Sequence, residues 1–312
     1  MSSMDKCAFI FPGQASQYAG MAKDLCDAFA SARACFDEAD EILGFSLSRL
    51  CFSGPEEDLR QTATTQPAVF AHSLAAWQVL VEAGLEPMCT AGHSLGEYSA
   101  LVAAGALEFR PALELVKRRG ELMQQAGGQM SGTMAAILGL DDDKVEHVCR
   151  QAADRGVVVP ANFNAPGQVV ISGEVAAVEA AGKLASEAGA KRVIELAVSG
   201  AFHSPLMAPV AAEMKGLLEA APIKRPRLPV VCNVTARATD EPEEVRRCLI
   251  EQITQPVRWS ESVLHMHQMG VQRAVEVGPG KVLKGMVRRI VRDLQVRNAD
   301  TAEEVMALRG AA

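Results

Sequence analysis

Short apolar runs alternate along this chain with longer stretches in which apolar positions return at helical spacing. The first is Cys7–Phe11, wholly apolar, which reads as a buried strand closed by the loop Pro12-Gly13-Gln14-Ala15-Ser16-Gln17. Helical spacing then predicts helices over residues 21–29, 32–43 and 66–83. A second short strand, 88–91, leads into the helix-favouring run 97–104, which ends near Gly105; Pro111 opens a further helix to about Ala126. Strands alternating with helices in this way predict an α/β domain with a largely parallel sheet.

Between Gly132 and Val198 the pattern changes. Residues 133–138 read as strand, 141–153 as helix, 157–162 and 168–172 as strands around Ala165-Pro166-Gly167, 175–188 as helix and 192–198 as strand. The order βαββαβ is a complete ferredoxin-like unit. It predicts a small subdomain, residues 130–199, inserted into a larger domain made of residues 1–129 and 200–312, with a ligand cleft between the two. Past Asn298 the periodicity fades, and a loosely ordered tail is expected.

Composition narrows the function classes. The 312 residues are 49% hydrophobic and 22% charged, enough to fill a full core. A net charge of −7 with no block of like charge argues against nucleic acid as a partner, and any acidic partner must meet a local basic patch. The apolar run behind the N-terminus is too short for a signal peptide or membrane span, and no later run reaches spanning length, so no membrane association is expected. The eight cysteines include no Cys-x-x-Cys pair and mostly sit in apolar or helical stretches. Reduced thiols, a cytoplasmic location and no structural metal are the expectations.

The chemistry centres on Gly92-His93-Ser94-Leu95-Gly96, a Gly-x-Ser-x-Gly sequence with strand before it and helix after it. That context makes a nucleophile elbow, in which small flanking residues let the chain turn sharply and present the Ser94 hydroxyl. A serine needs a base to take its proton. Of the six histidines, His72, His147, His265 and His267 fall in helical stretches, and His93 points elsewhere in a tight turn. His203 follows a strand and a short loop and precedes Ser204-Pro205, a helix start. The helix dipole there is expected to keep its ring neutral and ready to accept a proton.

Arg119 is out of place. On the helix opened by Pro111 it falls amid Ala112, Leu115, Val116, Leu122, Met123 and Ala126, on the inward face, whereas Arg118 lies toward the margin. A buried guanidinium needs an anion, which is either an internal carboxylate or the carboxylate of a ligand.

The motifs Phe11-Pro12-Gly13-Gln14, Gly92 to Ala100, Arg119-Gly120, Asn162 to Gln168, Ala201 to Met207 and Glu276 to Lys281 together resemble the malonyl-CoA:acyl carrier protein transacylase family, in the expected order from about Ala8 to about Arg292. The resemblance implies an α/β-hydrolase-like large domain carrying a ferredoxin-like one. It also implies transfer of a malonyl group from malonyl-CoA to the phosphopantetheine thiol of an acyl carrier protein, through a malonyl-serine intermediate. The free-standing length resembles the discrete enzyme of type II fatty acid synthesis, and a trans-acting acyltransferase of a polyketide synthase would look much the same. The implied roles are Ser94 as nucleophile and His203 as general base, with the backbone N–H groups of Gln14 and Leu95 as oxyanion hole. Arg119 would pair with the malonyl carboxylate, the backbone carbonyl of Gln252 would orient the histidine in place of a triad acid, and Asn162 would be a polar supporting residue. Phe202, before the histidine, resembles the malonyl-selecting pattern that leaves little room for an α-methyl branch. Ala15 departs from the family, many members having glycine there.

Malonyl-CoA is then the substrate and phosphopantetheine sits on the carrier, so no cofactor or metal is expected on this chain, which is expected to be a monomer. An acidic carrier would be met by Lys191, Arg192, Lys281, Lys284, Arg288 and Arg289. Two other classes share features of the site. A serine thioesterase or esterase would use the same elbow and base, but would gain nothing from an inward Arg119 and would normally carry a triad acid. A silent docking module would need neither Ser94 nor His203.

Overall fold

The computed structural model describes residues 6–129, 131–198 and 200–310. Its strands are β1 (Cys7–Phe11), β2 (Cys89–Gly92), β3 (Gly132–Leu138), β4 (Val158–Ala165), β5 (Gln168–Glu174), β6 (Arg192–Glu195), β7 (Val230–Val231), β8 (Ala238–Thr239), β9 (Arg273–Val277) and β10 (Gln295–Ala299). The larger sheet has the order β10-β9-β1-β2-β7-β8 and is parallel except where β8 pairs antiparallel with β7. Both faces of β1 are covered: Phe9 and Phe11 enter the core with the helices Thr62–Glu82 and Gly96–Ala103, while Ala8 and Ile10 pack with Trp259 and Val263 on the opposite side. Burial on both faces is why the strand is apolar throughout instead of alternating.

The smaller sheet has the order β4-β5-β3-β6 and is wholly antiparallel, the ferredoxin-like arrangement expected of βαββαβ. Ile137, Val169 and Ile171 face the helices Asp142–Gln151 and Val175–Glu187, whereas Met134, Ala161 and Val170 join the main core. The sheet therefore lies between its own helices and the large domain. β4 is also stitched to the large domain by its backbone: Val257 N–H donates to Ala161 O at 2.9 Å and Phe163 N–H donates to Val257 O at 2.9 Å. The boundary residues Met130 and Ser199 of the expected insertion lie outside the described residues.

Several expected bounds are corrected. The helix expected from Gln66 begins at Thr62, the one expected from Pro111 spans Phe109–Gln129, and β6 stops at Glu195. The chain after His203 forms a 3₁₀ turn, Pro205–Met207, capped by the Ser204 hydroxyl, before the helix Ala208–Ala220. As far as residue 310, the tail is not loosely ordered. Helix Ala302–Arg309, capped by Thr301, places Ala302, Val305 and Leu308 in the main core. Three apolar residues at helical spacing are too short a pattern to read in sequence; just before them buried Asp300 ties the segment to the domain, accepting from Tyr18 Oη at 2.9 Å and Gly280 N–H at 3.0 Å.

Asp300→Ala leaves both donors without an acceptor. Urea unfolding of this variant is expected to show a loss of about 3 kcal/mol, two hydrogen bonds to a charged group, and unchanged stability would return the tail to a peripheral role.

Candidate active site

The elbow is built by contacts that admit no side chain. A Cβ on Gly92 would collide with the carbonyl group of Gly96, and one on Gly96 would collide with the Phe11 and Pro12 carbonyls. The Pro12–Gln14 loop therefore lies directly against the start of helix Gly96–Ala103, and His93 N–H donates to Phe11 O at 3.0 Å. Ser94 takes a left-handed φ of 50°, a conformation that costs a residue with a side chain about 1–2 kcal/mol. Asn233 holds it there: its Oδ1 accepts the Ser94 N–H at 2.7 Å and its Nδ2 donates to Gly92 O at 2.6 Å.

Three elements converge on the hydroxyl. His203 Nε2 lies 2.8 Å from Ser94 Oγ, and His203 Nδ1 lies 2.8 Å from the Gln252 carbonyl oxygen, at the end of helix Pro242–Gln252. A carbonyl only accepts, so the ring proton sits on Nδ1 and Nε2 is free to accept the serine proton. Arg119 Nη2 donates to Ser94 Oγ at 3.0 Å. The serine oxygen thus faces a neutral base on one side and a cation on the other.

Arg119 is 1% exposed. It donates through Nη1 to Gln66 Oε1 at 2.8 Å and through Nη2 to Gln252 Oε1 at 3.0 Å; its Nε has no partner among the described residues. Its hydrogen-bond partners are neutral, and among the described residues no carboxylate forms an ion pair with it. Burial lowers its pKa, against the fields of Tyr98 and Glu97, which favour the guanidinium. Glu97 is itself buried, and desolvation pushes its carboxyl up to about 7 against the hydrogen bonds of Asn233, Gln252 and Cys232 and the attraction of Arg119. Arg118 is half-exposed and pairs with Glu121 and Glu213.

His203 is kept neutral, as expected, with burial and a neighbouring cation as the main causes. Burial, and after it the Arg119 guanidinium, push its pKa down to about 3 against the hydrogen bond to Gln252. The element that follows it is a 3₁₀ turn, Pro205–Met207, that runs on into helix Ala208–Ala220.

Ser94, His203, Arg119 and Gln252 are therefore brought into mutual contact. The N–H groups of Gln14 and Leu95 donate to no acceptor among the described residues, and they sit on the two segments that pack against each other at the elbow. Ala15, next to Gln14, has a φ of 76°, the left-handed region where glycine is favoured, and its N–H is held by Gln17 Oε1 at 2.9 Å. Phe202 is buried beside His203. Asn162 is buried in β4 at a bulge, but its side chain makes no hydrogen bond to Ser94, His203 or Arg119; its neighbour Asn164 instead takes His93 Nε2 at 2.8 Å.

Sequence reasoning missed Gln66, Glu97, Asn164 and Asn233. Only Glu97 had a signal, a carboxylate in the first turn of an otherwise apolar helix. Among the described residues no cluster of three or more His, Cys, Asp or Glu could hold a metal, all eight cysteines are free, and no helix is long and apolar enough to cross a membrane.

Comparison with known proteins gives the same picture. The acyl transferase domain family matches residues 8–309. The chain is 48% identical over 94% of its length to a malonyl CoA-acyl carrier protein transacylase of Bacillus subtilis, of which 92% is covered. It is 45% identical over 92% of its length to the Escherichia coli protein of the same name, of which 94% is covered. Among solved structures, a malonyl-CoA:acyl carrier protein transacylase from Xanthomonas oryzae superimposes with a TM-score of 0.95 at 42% identity, covering 100% of this chain and 99% of that one. A malonyl-transacylase in complex with a type II PKS acyl-carrier protein gives a TM-score of 0.96 at 43% identity, covering 99% and 100%. An acyltransferase, not a hydrolase or a silent docking module, is what these similarities and the buried Arg119 describe. The chain belongs to the acyl transferase domain family and, within it, to the malonyl CoA-acyl carrier protein transacylases.

Proposed function

We propose that the protein transfers a malonyl group from malonyl-CoA to the phosphopantetheine thiol of an acyl carrier protein, through an ester on Ser94. The observation that carries this is the placing of Ser94 Oγ between His203 Nε2 at 2.8 Å and Arg119 Nη2 at 3.0 Å. His203 takes the hydroxyl proton as Oγ attacks the thioester carbonyl, and the N–H groups of Gln14 and Leu95 receive the developing oxyanion, typically worth a few kcal/mol. CoA leaves as thiol with the proton from His203. The carrier thiol then gives its proton to His203 and attacks the ester, and Ser94 departs with that proton restored. The hydrogen bond from His203 Nδ1 to the Gln252 carbonyl does what a triad acid does for orientation and tautomer.

Arg119 supplies selection. Its neutral partners and free Nε leave the guanidinium without a paired anion, and a malonyl carboxylate meets that need with a bidentate fork. Neutralising Arg119 also removes a charge that depresses His203, so the base strengthens once the correct acyl group is bound. Phe202, buried before His203, would disfavour an α-methyl branch by about 1–3 kcal/mol, which favours malonyl over methylmalonyl strongly but not absolutely.

The remaining expectations belong to the same proposal: a cytoplasmic monomer with no cofactor of its own, residues 130–199 as the inserted unit, and a carrier of fatty acid synthesis as acceptor. The type II PKS carrier bound by one relative keeps a polyketide carrier as the second reading. Of the six basic residues offered to an acidic carrier, Lys281 pairs with Glu304, Lys284 donates to Asn298 and Arg289 donates to Gln168 and Pro166. Lys191, Arg192 and Arg288 are exposed and form no ion pair among the described residues, which makes them the better contacts.

Intact mass after brief exposure to malonyl-CoA is expected to show one added malonyl group in the wild type and none in Ser94→Ala. A malonyl group retained by Ser94→Ala would refute the assignment. Arg119→Ala is expected to cut malonyl transfer and raise acetyl transfer relative to it, because removing one partner of a buried charged pair costs about 3–5 kcal/mol and acetyl has no carboxylate to lose. Arg118→Ala, changed at a half-exposed ion pair, should stay near wild type. Equal malonyl-to-acetyl ratios of kcat/KM in wild type and folded Arg119→Ala would show that Arg119 is purely structural.

A further inference from the structure

Glu97 has no part in the steps above, yet it is fully buried and two hydrogen bonds converge on one of its oxygens. Oε2 accepts the Asn233 N–H at 3.0 Å and Gln252 Nε2–H at 2.9 Å. The second hydrogen on Gln252 Nε2 goes to Ser94 O at 3.0 Å, and Gln252 Oε1 accepts from Arg119 Nη2 at 3.0 Å. One end of this amide therefore faces two acceptors, a carboxylate and a carbonyl. The other end faces a guanidinium, which can only donate. The reversed amide would oppose acceptor to acceptor at Glu97 and Ser94 and donor to donor at Arg119, so the orientation is fixed by the chemistry of its neighbours.

We propose that Glu97 is a positioning residue for Arg119: it locks the Gln252 side-chain amide with its oxygen toward the guanidinium, and so governs selection of a carboxylate-bearing acyl group without touching that group. The inference rests on the reading that Arg119 receives the malonyl carboxylate. The route runs Asn233 backbone, Glu97, Gln252, Arg119, every link a hydrogen bond between buried groups. Asn233 also accepts the Ser94 N–H, so the same anchor fixes the nucleophile and, through Glu97 and Gln252, the cation beside it. The His203 contact is separate, because it uses the Gln252 main-chain carbonyl, which the side chain's orientation leaves in place. Loss of Glu97 should therefore disturb selection more than basal acylation.

The test compares kcat/KM for malonyl-CoA and acetyl-CoA in wild type, Glu97→Leu, Glu97→Asp, Glu97→Gln and Arg119→Ala, with folding checked by circular dichroism and melting temperature. Glu97→Leu withdraws the acceptor, and Glu97→Asp withdraws it by one methylene while keeping the charge, which covers the case in which Glu97→Leu does not fold. Both are expected to lower the malonyl-to-acetyl ratio on the order of tenfold, one charge-assisted hydrogen bond, chiefly through the KM for malonyl-CoA. Glu97→Gln keeps an acceptor in the same place and should hold the ratio within about twofold of wild type. A merely structural role would lower both substrates equally, and that outcome, or an unchanged ratio in folded Glu97→Asp, would overturn the proposal while leaving Arg119 in place. An unchanged ratio in Arg119→Ala would remove the reading beneath it and this inference with it.

Discussion

The buried positive charge of Arg119, held 3.0 Å from Ser94 Oγ, is the constraint on which the rest of the site depends. A guanidinium taken out of water needs every donor satisfied and a counter-charge near by. Here the Nη donors go to Gln66, Gln252 and Ser94, Nε has no partner among the described residues, and Glu97 acts on the charge without pairing with it. A direct ion pair would leave the cation content. Neutral partners leave it open to an incoming carboxylate, and the same field keeps His203 unprotonated and so able to act as a base.

This arrangement needs elements far apart in sequence to meet within hydrogen-bond reach, and the backbone is bent to achieve it. Ser94 and His203 both have positive φ, 50° and 55°. Such conformations cost about 1–2 kcal/mol per residue and persist only where neighbours enforce them. Asn233 holds the Ser94 backbone, and the Gln252 carbonyl holds the His203 ring. Gly92 and Gly96 are required for a different reason: the strand, the elbow helix and the Pro12–Gln14 loop approach too closely for any Cβ. Ala15 carries the same left-handed strain without glycine's freedom, a departure that the loop tolerates through the Gln17 hydrogen bond.

Features set by local pattern were legible in the sequence, and features set by convergence were not. β1, the elbow and the βαββαβ order of the small sheet follow from runs of apolar residues and glycine spacing, so Cys7–Phe11 and Ser94 were placed without a structure. Helical periodicity placed Arg119 inward and Arg118 outward, but could not say what met the charge, because Gln66, Glu97 and Gln252 come from three other helices. His203 was found by its position before Ser204-Pro205, while the burial and the Arg119 field that depress its pKa are tertiary facts and were not legible. Asn233 follows a short strand, Val230–Val231, and its link to Ser94 is a contact across 139 residues of chain that no local pattern signals. The tail was misjudged because its stability comes from Asp300 and a three-residue apolar stripe docking on the distant main core.

The most direct test of this account is the protonation state of His203, read by nitrogen NMR of the imidazole in the free protein and in Arg119→Leu. The account predicts a neutral ring with its proton on Nδ1 throughout the folded range, far below the ordinary 6.5, and an upward shift when the guanidinium is removed. A ring that titrates near 6.5 in the free protein, or one indifferent to the loss of Arg119, would contradict it.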